Sequence, residues 1–305
     1  MSDLDSDVML DASFANDRAE WMGVMDAIGE DSGYFQRVGA QHNALFLDNA
    51  PTLLVSFDSY DAARHRPKQL PVGLELADEC DWSQLCILSD AGPWYRDPAV
   101  YAYFDRLVDE GFFEDFDRVL FYGAGPSGYA AAAFSVTAPG ARVLLLNPVA
   151  TLNPAIAGWE TRHRKDRRLD FTSRYGFAPD MIESAASATV ISDPEQGLDA
   201  MHSALFAAPH VQRMNARLAG PDIEATFARM GILNHMICSA MEGRLTPSRY
   251  GELWRNRRDD LSYLRLLQVA TTPRPAREIM LCRNVSTRLK QPRFAKRLTD
   301  LQAKG

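Results

Sequence analysis

Short unbroken apolar runs alternate along this chain with segments whose apolar residues recur at helical spacing. Residues 13–39 carry Phe14, Trp21, Met22, Met25 and Ile28 at a rough 3.6-residue period, which predicts helix. Gly29 and the cluster Asp31, Ser32, Gly33 predict a break in it. Four apolar runs then read as buried strands: residues 52–57, 85–88, 117–122 and 142–146. A fifth follows at 188–191, and residues 211–218 make a sixth candidate. Each of the first five ends in turn chemistry, such as Asp58-Ser59, Asn147-Pro148 or Asp193-Pro194. Residues 98–111 form an amphipathic helix, with Pro98 at its first position and Gly111 as its stop. Residues 129–136 continue as helix from a glycine-rich turn. After about residue 222 only helical patterns remain, at 223–236, 250–269 and in the tail 283–304.

Strands that are apolar throughout, and that alternate with helices, predict a mostly parallel sheet covered on both faces: an α/β fold. The layout expected is an acidic disordered tail at 1–12 and a core at 13–235, with an insertion near 155–185. A helical, basic C-terminal extension at 236–305 packs on that core. At 305 residues and 46% hydrophobic, the chain is long enough to bury such a core. No apolar stretch reaches the roughly 18–20 residues of a membrane helix, and the acidic N-terminus has no signal-peptide core. Cys80, Cys86, Cys238 and Cys282 form no CxxC unit, so neither a disulfide framework nor a zinc knuckle is expected, and the cytoplasm is the default compartment. No HxxxH or HExxH occurs, and no metal or other cofactor is expected. The net charge of −7 is uneven: residues 1–120 hold 24 acidic and eight basic side chains, the rest 16 and 25. The two parts neutralise each other, or the second presents a basic face to an anionic ligand. The densest basic run is residues 162–168, RHRKDRR.

The segment GAGPSGYAAAAF, residues 123–134, carries the candidate chemistry. A strand feeds a tight turn and a small-residue helix follows at once. Two chemistries use such a turn: phosphate binding at a helix N-terminus, and a nucleophile elbow. Gly123, Gly125 and Gly128 match GxGxxG. A dinucleotide site also wants an acidic residue about 20 positions on, where this chain has Asn147-Pro148. The elbow fits the element order better. The segment resembles elbows of the α/β-hydrolase superfamily, and the resemblance extends over roughly residues 50–235. Laid on that pattern without a gap, the nucleophile position falls on Gly125 and the small residue two places later is Ser127. A frame shifted by two would make Ser127 the nucleophile. It would put Tyr129 where a small residue packs against the strand, and would lengthen the strand through Gly123 and Ala124.

The resemblance implies an acid after a later strand and a histidine after the last one. Asp193 holds the acid's place, but Asp193-Pro194-Glu195-Gln196 also reads as a helix cap with a reciprocal glutamine. The loop 219–222 has no histidine; Pro221 or Asp222 stands there. Without a base, a serine hydroxyl is a poor nucleophile. A displaced base would be His202, which shares a helix face with Asp199. The whole chain also resembles bacterial proteins often labelled phosphoadenosine phosphosulfate reductase. Neither the Ser-Gly-Gly loop nor the Glu-Cys-Gly nucleophile of such reductases is present; Cys282 sits in Leu-Cys-Arg-Asn.

The reading that follows is a degenerate α/β-hydrolase-like protein that binds without hydrolysing. Its ligand is a small anionic or glycan-like molecule, or a protein partner; nucleic acid is not expected. Its crevice is drawn from Gly123, Gly125, Pro126, Ser127, Asp58, Ser59, Trp94 and Asp222. Two alternatives stand beside it: a serine hydrolase using Ser127, Asp193 and His202, and a nucleotide- or sulfonucleotide-linked enzyme.

Overall fold

A computed structural model describes residues 10–90, 92 and 94–303; residues 1–9, part of the acidic tail, lie outside it. Eight strands form one sheet: β1 (Gly33–Val38), β2 (His42–Leu47), β3 (Thr52–Ser59), β4 (Ser83–Ser89), β5 (Arg118–Ala124), β6 (Arg142–Leu146), β7 (Ser187–Ser192) and β8 (Val211–Asn215). Their spatial order is β1-β2-β4-β3-β5-β6-β7-β8. β2 pairs antiparallel with β1 and β4, and every pairing from β4 to β8 is parallel. The central strands are apolar on both sides because both sides are covered. Along β5, Val119 and Phe121 enter one core, while Leu120 and Tyr122 enter the other.

Helix α1 (Arg18–Ser32) begins at Asp17, whose carboxylate accepts the Glu20 N–H. Short helices α2 (Tyr60–Arg64) and α3 (Leu74–Glu79) fill the crossover from β3 to β4. Helix α4 (Pro98–Asp109) starts where its proline places it, capped by Asp97. Helix α5 (Gly125–Phe134) leaves β5 with no intervening loop, and its buried Ala130–Ala133 run lets it lie close on β3, β5 and β6. The helix at residues 233–241 covers β5 and β6, through side chains of the other core. Further helices at 247–253, 261–271, 275–289 and 292–302 add Leu253, Tyr263, Cys282 and Phe294 to that second core.

Several sequence expectations are corrected. Residues 33–38 are strand rather than helix, and β2 was not foreseen. Gly29 explains the switch: a Cβ there would fall 2.7 Å from the Tyr34 carbonyl carbon, so the helix passes tightly under β1. The expected helix at 223–236 divides at Gly231, which has φ +68°. That at 250–269 divides around a 3-10 turn at 254–258. No helix among the described residues is long and apolar enough to cross a membrane.

Candidate functional site

The turn after β5 is built by three glycines with different tasks. Gly125 has φ +54°, the left-handed region that side chains with a Cβ avoid. Nothing lies within 4 Å of where its Cβ would stand, so a side chain there would project into open space. At Gly123 a Cβ would overlap the Ser127 carbonyl. At Gly128 it would come within 3.1 Å of the Gly123 carbonyl oxygen and 3.2 Å of Pro148. Those two glycines therefore allow strand, helix and the β6 turn to touch, while Gly125 takes the backbone round the corner. β5 does run through Gly123 and Ala124, against the expected strand length. The residue at the left-handed corner is nevertheless Gly125, not Ser127. Ser127 is half-buried in the first helical turn, and Pro126 beside it is also half-buried.

Asp193 follows β7 and is wholly buried. Its Oδ1 accepts the N–H groups of Glu195 (3.0 Å) and Leu218 (3.1 Å), and its Oδ2 accepts that of Gly220 (2.8 Å). The expected helix cap is absent: the next helix starts at Gly197, with Gln196 as its cap residue. Asp193 instead ties down the loop after β8. Asn147 completes the lacing. Its amide donates to the carbonyls of Gly220 (3.2 Å) and Pro221 (3.1 Å), and its Oδ1 accepts the Asp193 N–H at 3.1 Å. Asp222 caps the helix Ile223–Arg229 through the Ala225 N–H at 2.9 Å. The turns after β6, β7 and β8 are thus joined by polar groups already in use.

His202 lies in a different constellation. It is wholly buried; its Nε2 meets Glu160 at 3.1 Å and its Nδ1 accepts the Ala150 N–H at 3.2 Å. The Trp159 ring lies 4.5 Å away. Burial pushes its pKa down to about 4, against the pull of Glu160. Burial also opposes the charge on Glu160, but hydrogen bonds from Arg162 outweigh it and hold that carboxyl at about 2. Arg162 bridges onward to Asp199 at 2.6 Å. His202 and Asp199 do share a face, but each is held by the insertion between β6 and β7. Asp193 and His202 share no hydrogen bond among the described residues.

Asp58 ends β3 with its carboxylate turned inward. It accepts the N–H groups of Ser59 (2.8 Å) and Val72 (2.9 Å) and pairs with Arg66. Ser59 caps α2 through the Ala62 N–H. The Tyr95 hydroxyl donates to the Asp58 carbonyl at 2.6 Å, which links the loops after β3 and β4. Sequence reading missed Glu224. Burial pushes its carboxyl up to about 7 beside Tyr122, against the opposing pull of Arg66. No spacing rule joins positions a hundred residues apart.

Trp94 lines a cavity of about 440 Å³ with Gln41, His42, Arg96, Asp97 and Arg168. The indole N–H of Trp94, Nδ1 of His42 and both terminal nitrogens of Arg96 are shielded from water and have no hydrogen-bond partner. Arg96 donates through Nε to the Asp170 carbonyl at 2.6 Å and lies over the Tyr101 ring. Among the described residues no cluster of three metal-ligating side chains occurs.

Gly125 after the fifth strand, Asp193 after the seventh and the loop after the eighth stand where the sequence resemblance places a nucleophile, an acid and a histidine. The fold is a mostly parallel eight-stranded sheet covered by helices, the architecture that the sequence resemblance implies. No family model matches the chain, and no curated protein matches it. Among solved structures it is similar to the esterase domain of a Rhodothermus marinus protein, at 11% identity over 66% of this chain and 92% of that one, with a TM-score of 0.44. It is also similar to Est1E from Butyrivibrio proteoclasticus, at 9% identity over 68% and 98%, with a TM-score of 0.45. A third likeness is an esterase of Pyrobaculum calidifontis, at 12% identity over 74% and 89%, with a TM-score of 0.42.

Proposed function

We propose that this chain is a non-hydrolytic member of its fold that binds a small anionic or glycan-like ligand at the C-terminal edge of the sheet. One observation carries the reading: the corner where an elbow presents its nucleophile is held by Gly125, at φ +54°, with open space in front of it. A left-handed serine or cysteine there would carry strain that a catalytic role repays; a glycine carries none and offers no nucleophile. Two further observations agree. Asp193 spends both carboxylate oxygens on backbone N–H groups. Residues 216–222, where a base would stand, include no histidine.

The ligand class rests on the cavity beside Trp94. Its walls include Arg96, Arg168, Gln41 and His42, side chains of the kind that receive an oxyanion or sugar hydroxyls. Arg164, Lys165 and Arg168, exposed on the adjoining turn, supply a positive field. Glucuronate, which carries both a carboxylate and sugar hydroxyls, is the probe. It is expected to raise the Tm of the protein, and Arg96→Gln is expected to remove most of that rise. Release of p-nitrophenol from short esters at the rate of a Ser127→Ala control is the second expected result. Ester turnover that depends on Ser127 would overturn the reading.

One observation favours a serine hydrolase as the second reading: Ser127 is half-exposed, two residues from the corner, beside the Tyr95 hydroxyl. That hydroxyl is already donating to the Asp58 carbonyl, and burial raises its pKa well above the ordinary tyrosine value, so it is a poor base.

A further inference from the structure

Two cysteines 158 positions apart meet in the second core, with the Sγ atoms of Cys80 and Cys238 4.0 Å from each other. Neither lies in a motif that announces a pair. Cys80 is the residue that ends α3, and its backbone N–H still bonds to the Leu76 carbonyl. The chain turns away immediately after it, at Asp81 with φ +53°. Cys238 lies within the helix at residues 233–241. Both thiols are half-buried, whereas Cys86 and Cys282 are wholly buried.

We infer that Cys80 and Cys238 form a modification site, a thiol pair that closes to an intramolecular disulfide by exchange with a small organic disulfide such as oxidised glutathione. A disulfide needs its sulfurs about 2.05 Å apart, so roughly 2 Å must close. Cys80 can supply that movement because it stands at a helix end, where one side of the residue is not held by the helical ladder. The chemistry balances in two exchanges. The Cys80 thiol, losing its proton, attacks one sulfur of the small disulfide. A protein–glutathione mixed disulfide forms and one glutathione thiol leaves. The Cys238 thiol, losing its proton, then attacks the Cys80 sulfur, and the second glutathione leaves as thiol. Two electrons pass from the protein thiols to the small disulfide, and each proton goes to a released thiol. Cys80 takes the first step because it stands at the end of α3, whereas Cys238 is held inside a helix.

The link would join two walls of one cavity. α3 and the 233–241 helix line a space of about 600 Å³ with Gly73, Leu76, Leu233 and Ile237 among its residues. A bond between residues 158 positions apart would also restrict the unfolded chain over a long loop.

The test uses the full-length protein, reduced and then equilibrated with a mixture of reduced and oxidised glutathione before acid quenching. Of the four thiols two are expected to disappear. Peptide mapping is expected to recover one linked species, joining the peptides of Cys80 and Cys238, and the oxidised protein is expected to melt at a higher temperature. In Cys238→Ser, glutathione is expected to remain on Cys80. Retention of all four thiols by the wild-type protein would overturn the inference. So would a lasting glutathione adduct on wild-type Cys80, or a link involving Cys86 or Cys282.

Discussion

The turns after β5 and β7 both lie at the C-terminal edge of the sheet, one strand apart, and put their residues to different use. The β5 turn is shaped by its backbone, with a left-handed corner at Gly125 and close strand-to-helix contact. The β7 turn keeps the chemical group, a buried carboxylate, but uses it to hold the loop after β8. The difference teaches that fold and position alone do not establish activity; the partners each group already has must be read as well.

Four substitutions or conditions probe that contrast. The largest effect belongs to Gly123→Val, whose side chain has no room beside the Ser127 carbonyl. Loss of folded, soluble protein is expected, read by circular dichroism; a stable variant would show that the corner can open. Asp193→Ala comes next. It strands three backbone N–H groups, two of them in the loop after β8, and is expected to cost about 3 kcal/mol in urea unfolding at roughly 1–3 kcal/mol per buried donor, some of which water will satisfy. A loss under 1 kcal/mol would free Asp193 for another role.

The His202 site gives a pH-dependent effect of similar or smaller size. Its folded pKa, about 4, lies below the ordinary histidine value of 6.5, so the unfolded chain binds the proton first. The contribution is complete above pH 6.5 and is lost as pH falls towards 4, by about 3 kcal/mol at most for a shift of this size. His202→Gln is expected to flatten the unfolding free energy between pH 6.5 and 4; an unchanged slope would place the titration elsewhere. Gly125→Ala is expected to cost about 1–2 kcal/mol, from the backbone alone, because its Cβ meets nothing. A cost above 4 kcal/mol would mean that the corner is not open.

Much of this fold could be read in advance, and the exceptions have physical causes. β3 to β7 are rich in apolar residues on both faces; β3, β4, β6 and β7 end in or beside Asp, Ser, Asn or Pro and β5 ends in a glycine-rich turn, so each announces itself. β1 and β2 do not. Residues 33–38 (GYFQRV) follow a helical pattern directly and mix polar with aromatic positions. Burial of all six residues of β2 comes from α1 and the neighbouring strands rather than from local composition. At the site, the letters of residues 123–128 were enough to place Gly125 at the corner. The partners of His202 and Asp193 were not legible, because Glu160 lies 42 residues from His202 and Gly220 lies 27 from Asp193. Periodicity relates neighbours on one element; it says nothing about loops brought together by a sheet.

The most direct test of the central claim is labelling of the folded wild-type protein by a fluorophosphonate, run beside Ser127→Ala. No covalent adduct is expected on either protein at a probe concentration that fully labels an active serine esterase. An adduct on wild-type Ser127 that is absent from Ser127→Ala would contradict it, and would mean that the corner glycine hides a working nucleophile two residues away.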